Sequence, residues 1–314
     1  MLNRRHIRVK VMQTLYSMQQ TKSDNLEVSE KFLFQSLENV QDLYLVMISI
    51  LIEIRDKEEK FIEISRNKHL VTKAEKNPNL KFINNQVLNI LAQNESLINA
   101  LEDRKIDNWK LNDDYILIVL QAVKQSDVYK NYMNKTTSSF EDDKVFVANL
   151  FADVIVPNTK LYEYLEDYKL TWIDDIPLVN TLILKQLNAL KNSENGNFKV
   201  PKLYKDTEDK EYVSNLFRKV LLNNDQLAKE FADKTPNWES DRIAEIDTVV
   251  LKMAICEFLK FPSIPVKVTI NEYLEIVKEY STPKSSVFIN GILDNLSKEF
   301  ESNGKLKKTG RGLM

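Results

Sequence analysis

Residues 141–175, EDDKVFVANLFADVIVPNTKLYEYLEDYKLTWIDD, and residues 207–241, TEDKEYVSNLFRKVLLNNDQLAKEFADKTPNWESD, are two copies of one pattern. At an offset of 66, Asp143 matches Asp209, Val147 matches Val213, Leu150 and Phe151 match Leu216 and Phe217, Asn158 matches Asn224, and Trp172 matches Trp238. A weaker copy precedes them. At an offset of 64, Phe82, Asn85, Asn94 and Leu97 fall on Phe146, Asn149, Asn158 and Leu161, and Trp109 lands near the Trp172 position. In the second copy Val147, Leu150, Phe151 and Val154 hold the i, i+3, i+4, i+7 spacing of one buried helix face. Asn158 is placed to cap the helix that carries Leu161 and Leu165. Each copy, over 80–125, 143–191 and 208–260, reads as helix, Asn turn, helix, Trp-bearing loop, helix. A single copy cannot bury its own apolar face, so the copies are expected to pack on neighbours. The tryptophans read as core anchors in preference to base-stacking platforms.

The helical reading extends in both directions. Upstream, Phe32, Leu33, Leu37, Val40, Leu43, Tyr44, Met47, Leu51 and Ile54 keep spacings of three and four across 28–66. Downstream, one helix follows Pro262 and Pro265, and another follows Ser281-Thr282-Pro283 with proline near its first position. Gly291 inside this last helix costs about 1 kcal/mol relative to Ala, which suggests close helix approach or tolerance without purpose. The linkers fall at 72–79, 134–139 and 192–202. Five Gly and eight Pro in 314 residues suit long helices with short connectors, and no stretch alternates with period two. The chain is therefore expected to be all-α. Its longest apolar run, Leu43 to Ile52, is too short to span a bilayer. The N-terminus lacks a signal-peptide h-region, and a cytoplasmic protein without membrane contact is expected.

Charge is unevenly spread. The net charge is −2, yet residues 1–23 carry Arg4, Arg5, Arg8, Lys10 and Lys22 and no acid, and residues 303–314 carry Lys305, Lys307, Lys308 and Arg311 and no acid. Two basic ends on an acidic body point to an anionic partner at the ends and a basic protein on the body. Cations at a helix N-terminus oppose its dipole, so helix stability alone would not select Arg4, Arg5 and Arg8. Arg4 and Arg8 lie one turn apart on a single face, and guanidinium forks suit phosphates and base edges. The competing reading is a solvated, frayed terminus. The tail around KLKKTGR reads as disordered.

Residues for catalysis or cofactor binding are missing. The first Gly is residue 196, so no Gly-rich phosphate loop precedes it. One cysteine and two histidines, His6 and His69, make a structural zinc site implausible. Cys256 sits in the apolar run VVLKMAICEFLKF and reads as core. Asp142-Asp143 and Asp174-Asp175 read as helix-start acids. No enzyme activity, metal or cofactor is expected.

The segment RIAEIDTVVLKMAICEFLKFPSIPVKVTINEYLEIVKEYSTPKSSVFINGILDNL, Arg242 to Leu296, resembles the C-terminal half of the NusB family of transcription antitermination factors. IPVKVTINEYLEIVK and VFINGILDNL carry most of the likeness. The start RRHIRVKVMQTLY resembles the family's arginine-rich RNA-binding N-terminus. The likeness covers roughly 115 residues, counting the last repeat copy, and the excess over 60–205 reads as degenerate duplicates of the family's three-helix unit.

The resemblance implies helical bundles that bind boxA RNA of rRNA transcripts together with NusE, a small-subunit ribosomal protein, in an antitermination complex on RNA polymerase. By motif position, Arg4, Arg5 and Arg8 match RNA-contacting arginines, with Lys10 compensating for His6. Lys284 stands in the turn before the last helix, where a cation strengthens RNA binding. Asp247 matches an acidic position on the face that meets NusE. Lys267, Asn271 and Glu272 fall in the motif PVKVTINE, the last two reading as structural. The expected organisation is an arginine-rich helix plus long helix over 1–75, inserted repeats over 76–200, a NusB-like bundle over 201–300 and a basic disordered tail over 301–314. The rival function is a helical protein-binding scaffold without an RNA role.

Overall fold

The computed structural model describes residues 1–68, 72–193, 197–234 and 244–309. His69, Trp238, Asp241 and Arg311 lie outside these residues. The described residues form sixteen α-helices and no strand: α1 (Arg4–Thr21), α2 (Leu26–Arg66), α3 (Lys73–Lys76), α4 (Gln86–Ala92), α5 (Glu95–Asp103), α6 (Asn108–Leu111), α7 (Asp113–Gln125), α8 (Asp127–Asn134), α9 (Phe140–Leu150), α10 (Thr159–Tyr168), α11 (Ile176–Ala189), α12 (Thr207–Leu222), α13 (Asn224–Ala232), α14 (Glu245–Lys260), α15 (Val266–Tyr280) and α16 (Ser285–Ser302). The fold is all-α, as the periodicity predicts. No described helix is long and apolar enough to cross a membrane.

The chain divides into two compact units, Met1–Leu37 with Tyr204–Met314, and Glu38–Leu203. The boundary falls inside α2. Residues 38–66 therefore group with the repeats, whereas the sequence placed them with the arginine-rich helix.

In the unit of residues 38–203, α2 is a spine for the first two repeat copies. No Gly or Pro interrupts its 41 residues. Trp109 Nε1 donates to the Val46 carbonyl at 2.9 Å and to Ser49 Oγ at 3.1 Å. Trp172 Nε1 donates to the Asn39 carbonyl at 2.8 Å. Val46 and Asn39 are two helical turns apart and on nearly the same face, about 10 Å along the axis. The two copies thus dock on α2 in register with its pitch. Arg104 of copy one (Nε, 2.6 Å) and Lys169 of copy two (Nζ, 3.5 Å) both reach the Asp42 carboxylate. Both tryptophans are buried, at 3% and 1% exposure, in keeping with their reading as anchors. Copy one contributes α4 to α7 and copy two α9 to α11, with α4 packed on α9 and α9 on α11. Between α9 and α10 the chain makes a π-helical turn, Phe151–Ile155. Asn158 caps α10 by accepting from Leu161 N at 3.0 Å, as its position predicts.

In the other unit the third copy, with α12, α13 and α14, packs on α1, α15 and α16. Its neighbours are thus the first and last helices of the chain. Gly291 is not a close-approach site. A Cβ added there meets nothing within 4 Å, so the glycine is tolerated in α16 and is not required there.

Candidate nucleic-acid interface

Helix α1 begins at a capping box. Asn3 accepts from His6 N at 3.0 Å, and Asn3 N donates to His6 Nδ1 at 3.4 Å. That contact needs a neutral His6. Burial, helped by the charges of Arg5 and Lys10, pushes its imidazole down to about 4, so His6 acts as a cap and offers no cation to a phosphate.

The three arginines have three different environments. Arg8 is 2% exposed. Its Nε and Nη2 donate to the two oxygens of Glu257 at 2.7 and 3.0 Å. Glu257, with no exposed surface, also accepts from Thr269 Oγ1 and Tyr273 OH, each at 3.0 Å, and from Tyr212 OH. Burial alone would lower the Arg8 guanidinium. The hydrogen bonds and charge of Glu257 more than reverse this and hold it above its ordinary range. Five donated hydrogen bonds satisfy a carboxylate that would otherwise be very costly to bury. Arg8 is therefore corrected from RNA ligand to the cation of a core network.

Arg4 and Arg5 remain at the surface, their side chains 38% and 42% exposed. Arg5 grips Glu272 through Nε and Nη2, both at 2.9 Å. This pairing raises Arg5 and lowers Glu272 from their ordinary ranges. Arg4 Nε donates to Asp209 at 3.0 Å, with Glu208 3.7 Å from its Nη2. The Tyr212 ring lies 5.2 Å from the Arg4 guanidinium carbon and 5.6 Å from that of Arg8. One turn of α1 thus does present Arg4 and Arg8 to a common neighbour, but each carries its own carboxylate. A guanidinium has five N–H donors. Arg5 uses two on Glu272 and Arg4 one on Asp209, so each keeps donors for an incoming phosphate.

Arg4 and Arg5, with Asn3, Arg8, Ile264, Pro265, Val268 and Glu272, line a cleft of about 470 Å³. Its floor is set by the turn before α15, where Pro265 occupies the cap and leaves Lys267 exposed in the first helical turn. Lys284, before α16, is also exposed. α15 separates the two lysines by roughly 20 Å of helix.

Lys10 is 3% exposed. It sits on the packed side of α1 and is corrected to a buried residue. Asp247 is also corrected: at 3% exposure it accepts from Ser281 Oγ at 2.6 Å. Ser281 Oγ in turn accepts from Ser285 Oγ at 3.0 Å. Asp247 thus anchors the turn that carries Lys284, and its carboxylate faces inward. Glu272 has the structural role expected of it, whereas Asn271 is exposed.

The described part of the tail is not loose. Lys305 pairs with Glu230 at 2.8 Å, and Thr309 N donates to the Pro262 carbonyl at 2.9 Å. Lys308 Nζ donates to the carbonyls of Glu257 and Phe261 at 2.8 and 2.9 Å. Burial pushes Lys308 down to about 8. Lys308 closes the C-terminal end of α14, where a cation favours the dipole.

The sequence reading missed Glu257, Tyr212 and Tyr273. One signal was available: Glu257 is the single acid in VVLKMAICEFLKF, and Arg8 is flanked by Ile7 and Val9. A carboxylate and a guanidinium each embedded in an apolar run are candidates for pairing. Cys256 beside it is fully buried, its thiol pushed up to about 12 by burial, which makes it an inert core residue.

Comparison with known proteins gives these residues a context. The NusB family model matches residues 178–298. The transcription antitermination protein NusB of Salinibacter ruber is 40% identical over 112 residues, 36% of this chain and 70% of that protein. The protein of the same name from Chloroherpeton thalassium is 42% identical over 109 residues, 35% of this chain and 52% of that protein. A solved structure of T. maritima NusB is 32% identical, covers 34% of this chain and 75% of its own, and has a TM-score of 0.31. On the extent and identity of the Salinibacter ruber match, the chain belongs to the NusB family.

Proposed function

We propose that this chain is a transcription antitermination factor that binds boxA-type single-stranded RNA of rRNA transcripts together with NusE. The observation that carries the reading is the half-exposed pair Arg4 and Arg5 at the mouth of the α1–α15 cleft, in a chain of the NusB family. Phosphates engage the free donors of Arg4 and Arg5. Exposed Lys267 and Lys284 extend the track along α15, and unstacked bases present their edges. Glu272 and Asp209 hold the guanidinium planes fixed, so little side-chain freedom is lost when a phosphate arrives. Arg8 contributes by holding α1 against α14. NusE, a basic protein, enlarges the RNA surface, and the assembly acts on RNA polymerase.

Four neutralised phosphates give a log–log salt slope of about −3 for single-stranded RNA. Titration of a short boxA RNA by fluorescence anisotropy, with and without NusE, tests this. Arg4→Ala and Arg5→Ala each weaken binding and flatten the slope by about 0.7. Binding indifferent to salt and to both substitutions would overturn the proposal. The rival reading, a protein-binding scaffold, draws on the pairing of all three arginines with the chain's own carboxylates. It requires that NusE bind while boxA RNA gains no protection.

A further inference from the structure

The unit of residues 38–203 carries a string of aromatic rings of which one, Tyr168, is exposed, with exposed leucines near it in sequence. Tyr115, Tyr164, Tyr168 and Trp172 form a continuous string, with ring centroids 4.7, 5.6 and 5.2 Å apart. Two of its members are structural: Tyr164 OH accepts from Asn108 Nδ2 at 2.8 Å, and Trp172 Nε1 donates to the Asn39 carbonyl of α2. Tyr168, between them, is 50% exposed, and Leu111, four residues before Tyr115, and Leu170, two before Trp172, are each 75% exposed.

The surrounding charge is predominantly negative. Asp107 and Asp114 flank the face on the α6–α7 side, and Glu166 and Asp167 on α10. All four are exposed and none forms an ion pair among the described residues. Of the neighbouring cations, Arg104 is held by Glu38 and Asp42, Lys169 by Asn39 and Asp42, and Lys160 by Glu163. Lys105 and Lys110 remain exposed against this field. Residues 38–203 as a whole carry 21 Lys+Arg against 25 Asp+Glu, leaving 23 against 21 for the rest of the chain.

We propose that this face docks a lysine- or arginine-rich protein segment, whose apolar side chains seat on Tyr168, Leu170 and Leu111 while its cations meet Asp107, Asp114, Glu166 and Asp167. Exposed aromatic and aliphatic groups supply the anchor, and the carboxylates supply orientation and encounter rate. RNA is disfavoured because the same carboxylates repel phosphate. A second copy is disfavoured because a two-fold contact through this face would set like charges against each other. The site is separate from the α1–α15 cleft and does not depend on RNA binding.

The test uses the full chain and three labelled peptides of equal length: one alternating lysine with leucine, one of lysine alone, and one alternating glutamate with leucine. The lysine–leucine peptide binds most tightly and in a salt-dependent manner, the lysine peptide more weakly, and the glutamate–leucine peptide not at all. The double variant Tyr168→Ser/Leu170→Ser, and separately Asp107→Asn/Asp114→Asn/Asp167→Asn, each weaken lysine–leucine peptide binding about tenfold or more. All five positions are exposed; Tyr168→Ser gives up its ring contacts with Tyr164 and Trp172 and lowers the melting temperature by a few degrees, the carboxamide variant leaves it at the wild-type value, and boxA RNA affinity is unchanged in both. Equal affinity of wild type and variants for the peptide overturns the proposal. So does loss of self-association in the variants by sedimentation, which assigns the face to a second copy, and so does a fall in their RNA affinity.

Discussion

Helix α1 on α12 and helix α4 on α9 are the same arrangement built twice, with one difference at the surface. Asp143 and Asp209 occupy matched positions of the repeat. In one unit Asp143, 2% exposed, accepts from Gln86 N at the start of α4 at 2.9 Å, from Tyr132 OH at 2.7 Å and from Ser138 Oγ. In the other Asp209 accepts from Arg4 at the start of α1. Each packing helix is capped by an asparagine, Asn85 or Asn3. Yet α4 reads QVLNILA, without a charge, while α1 opens with two arginines. The duplicated element keeps the device that seats a helix N-terminus on its neighbour and lacks the groups that could meet an anion. On this comparison the proposed RNA surface lies in one unit, and the proposed docking face lies in the repeats of the other.

The comparison can be broken most directly at the core network. Arg8→Ala leaves Glu257 buried with its strongest partner gone, and removing one member of a buried pair costs about 3–5 kcal/mol. Urea unfolding of this variant and of Glu257→Ala should show losses of similar size. The double variant should cost much less than their sum, because the two residues act as one unit. Additive losses would mean that the two residues stabilise the fold independently.

The matched aspartates should differ. Asp143→Ala strands the buried Tyr132 hydroxyl and loosens the half-buried Gln86 N–H, and is expected to cost about 2–3 kcal/mol. Asp209→Ala loosens a half-exposed arginine and is expected to cost about 1 kcal/mol or less. Equal costs in denaturant melts would show that the two seats are energetically the same and that the surface difference is incidental.

His6 gives a pH signature confined to α1. Its folded-state pKa of about 4 lies below its ordinary 6.5, so the unfolded chain binds the proton more readily. Stability is therefore lost as pH falls from about 6.5 towards 4, by an amount on the order of 2 kcal/mol. His6→Gln keeps a capping-box acceptor and should remove that part of the slope. An unchanged slope would place the titration elsewhere. The smallest effect is expected at Gly291→Ala, which should stabilise α16 by up to about 1 kcal/mol, since the site has open space and ordinary helical backbone. A loss of stability in a thermal melt would reveal a contact at that face.

Periodicity alone was enough for the helices, the Asn158 cap and the tandem copies, because each is written within a few turns of chain; in the third copy the matching Asn224 lies in the first turn of α13 and the Asn223 side chain makes no cap hydrogen bond. The offset of 66 residues between Asp143 and Asp209 located the repeat before any packing was known. The arginine cluster was equally visible, but its state was not. Whether Arg8 faces solvent or Glu257 depends on a contact 249 residues away, which no local pattern encodes. The same holds for Lys10 and Asp247, whose burial depends on which helices pack against them.

The amino-acid sequence by itself determined an all-α chain, its three copies and the placing of positive charge at the start of α1, because helical spacing and charge are local properties. Tertiary structure alone decided which cations stay at the surface and which become core. Burying a guanidinium or a carboxylate is tolerable only where packing brings a complete set of partners to it. Among the three arginines of α1, only Arg8 has such a set.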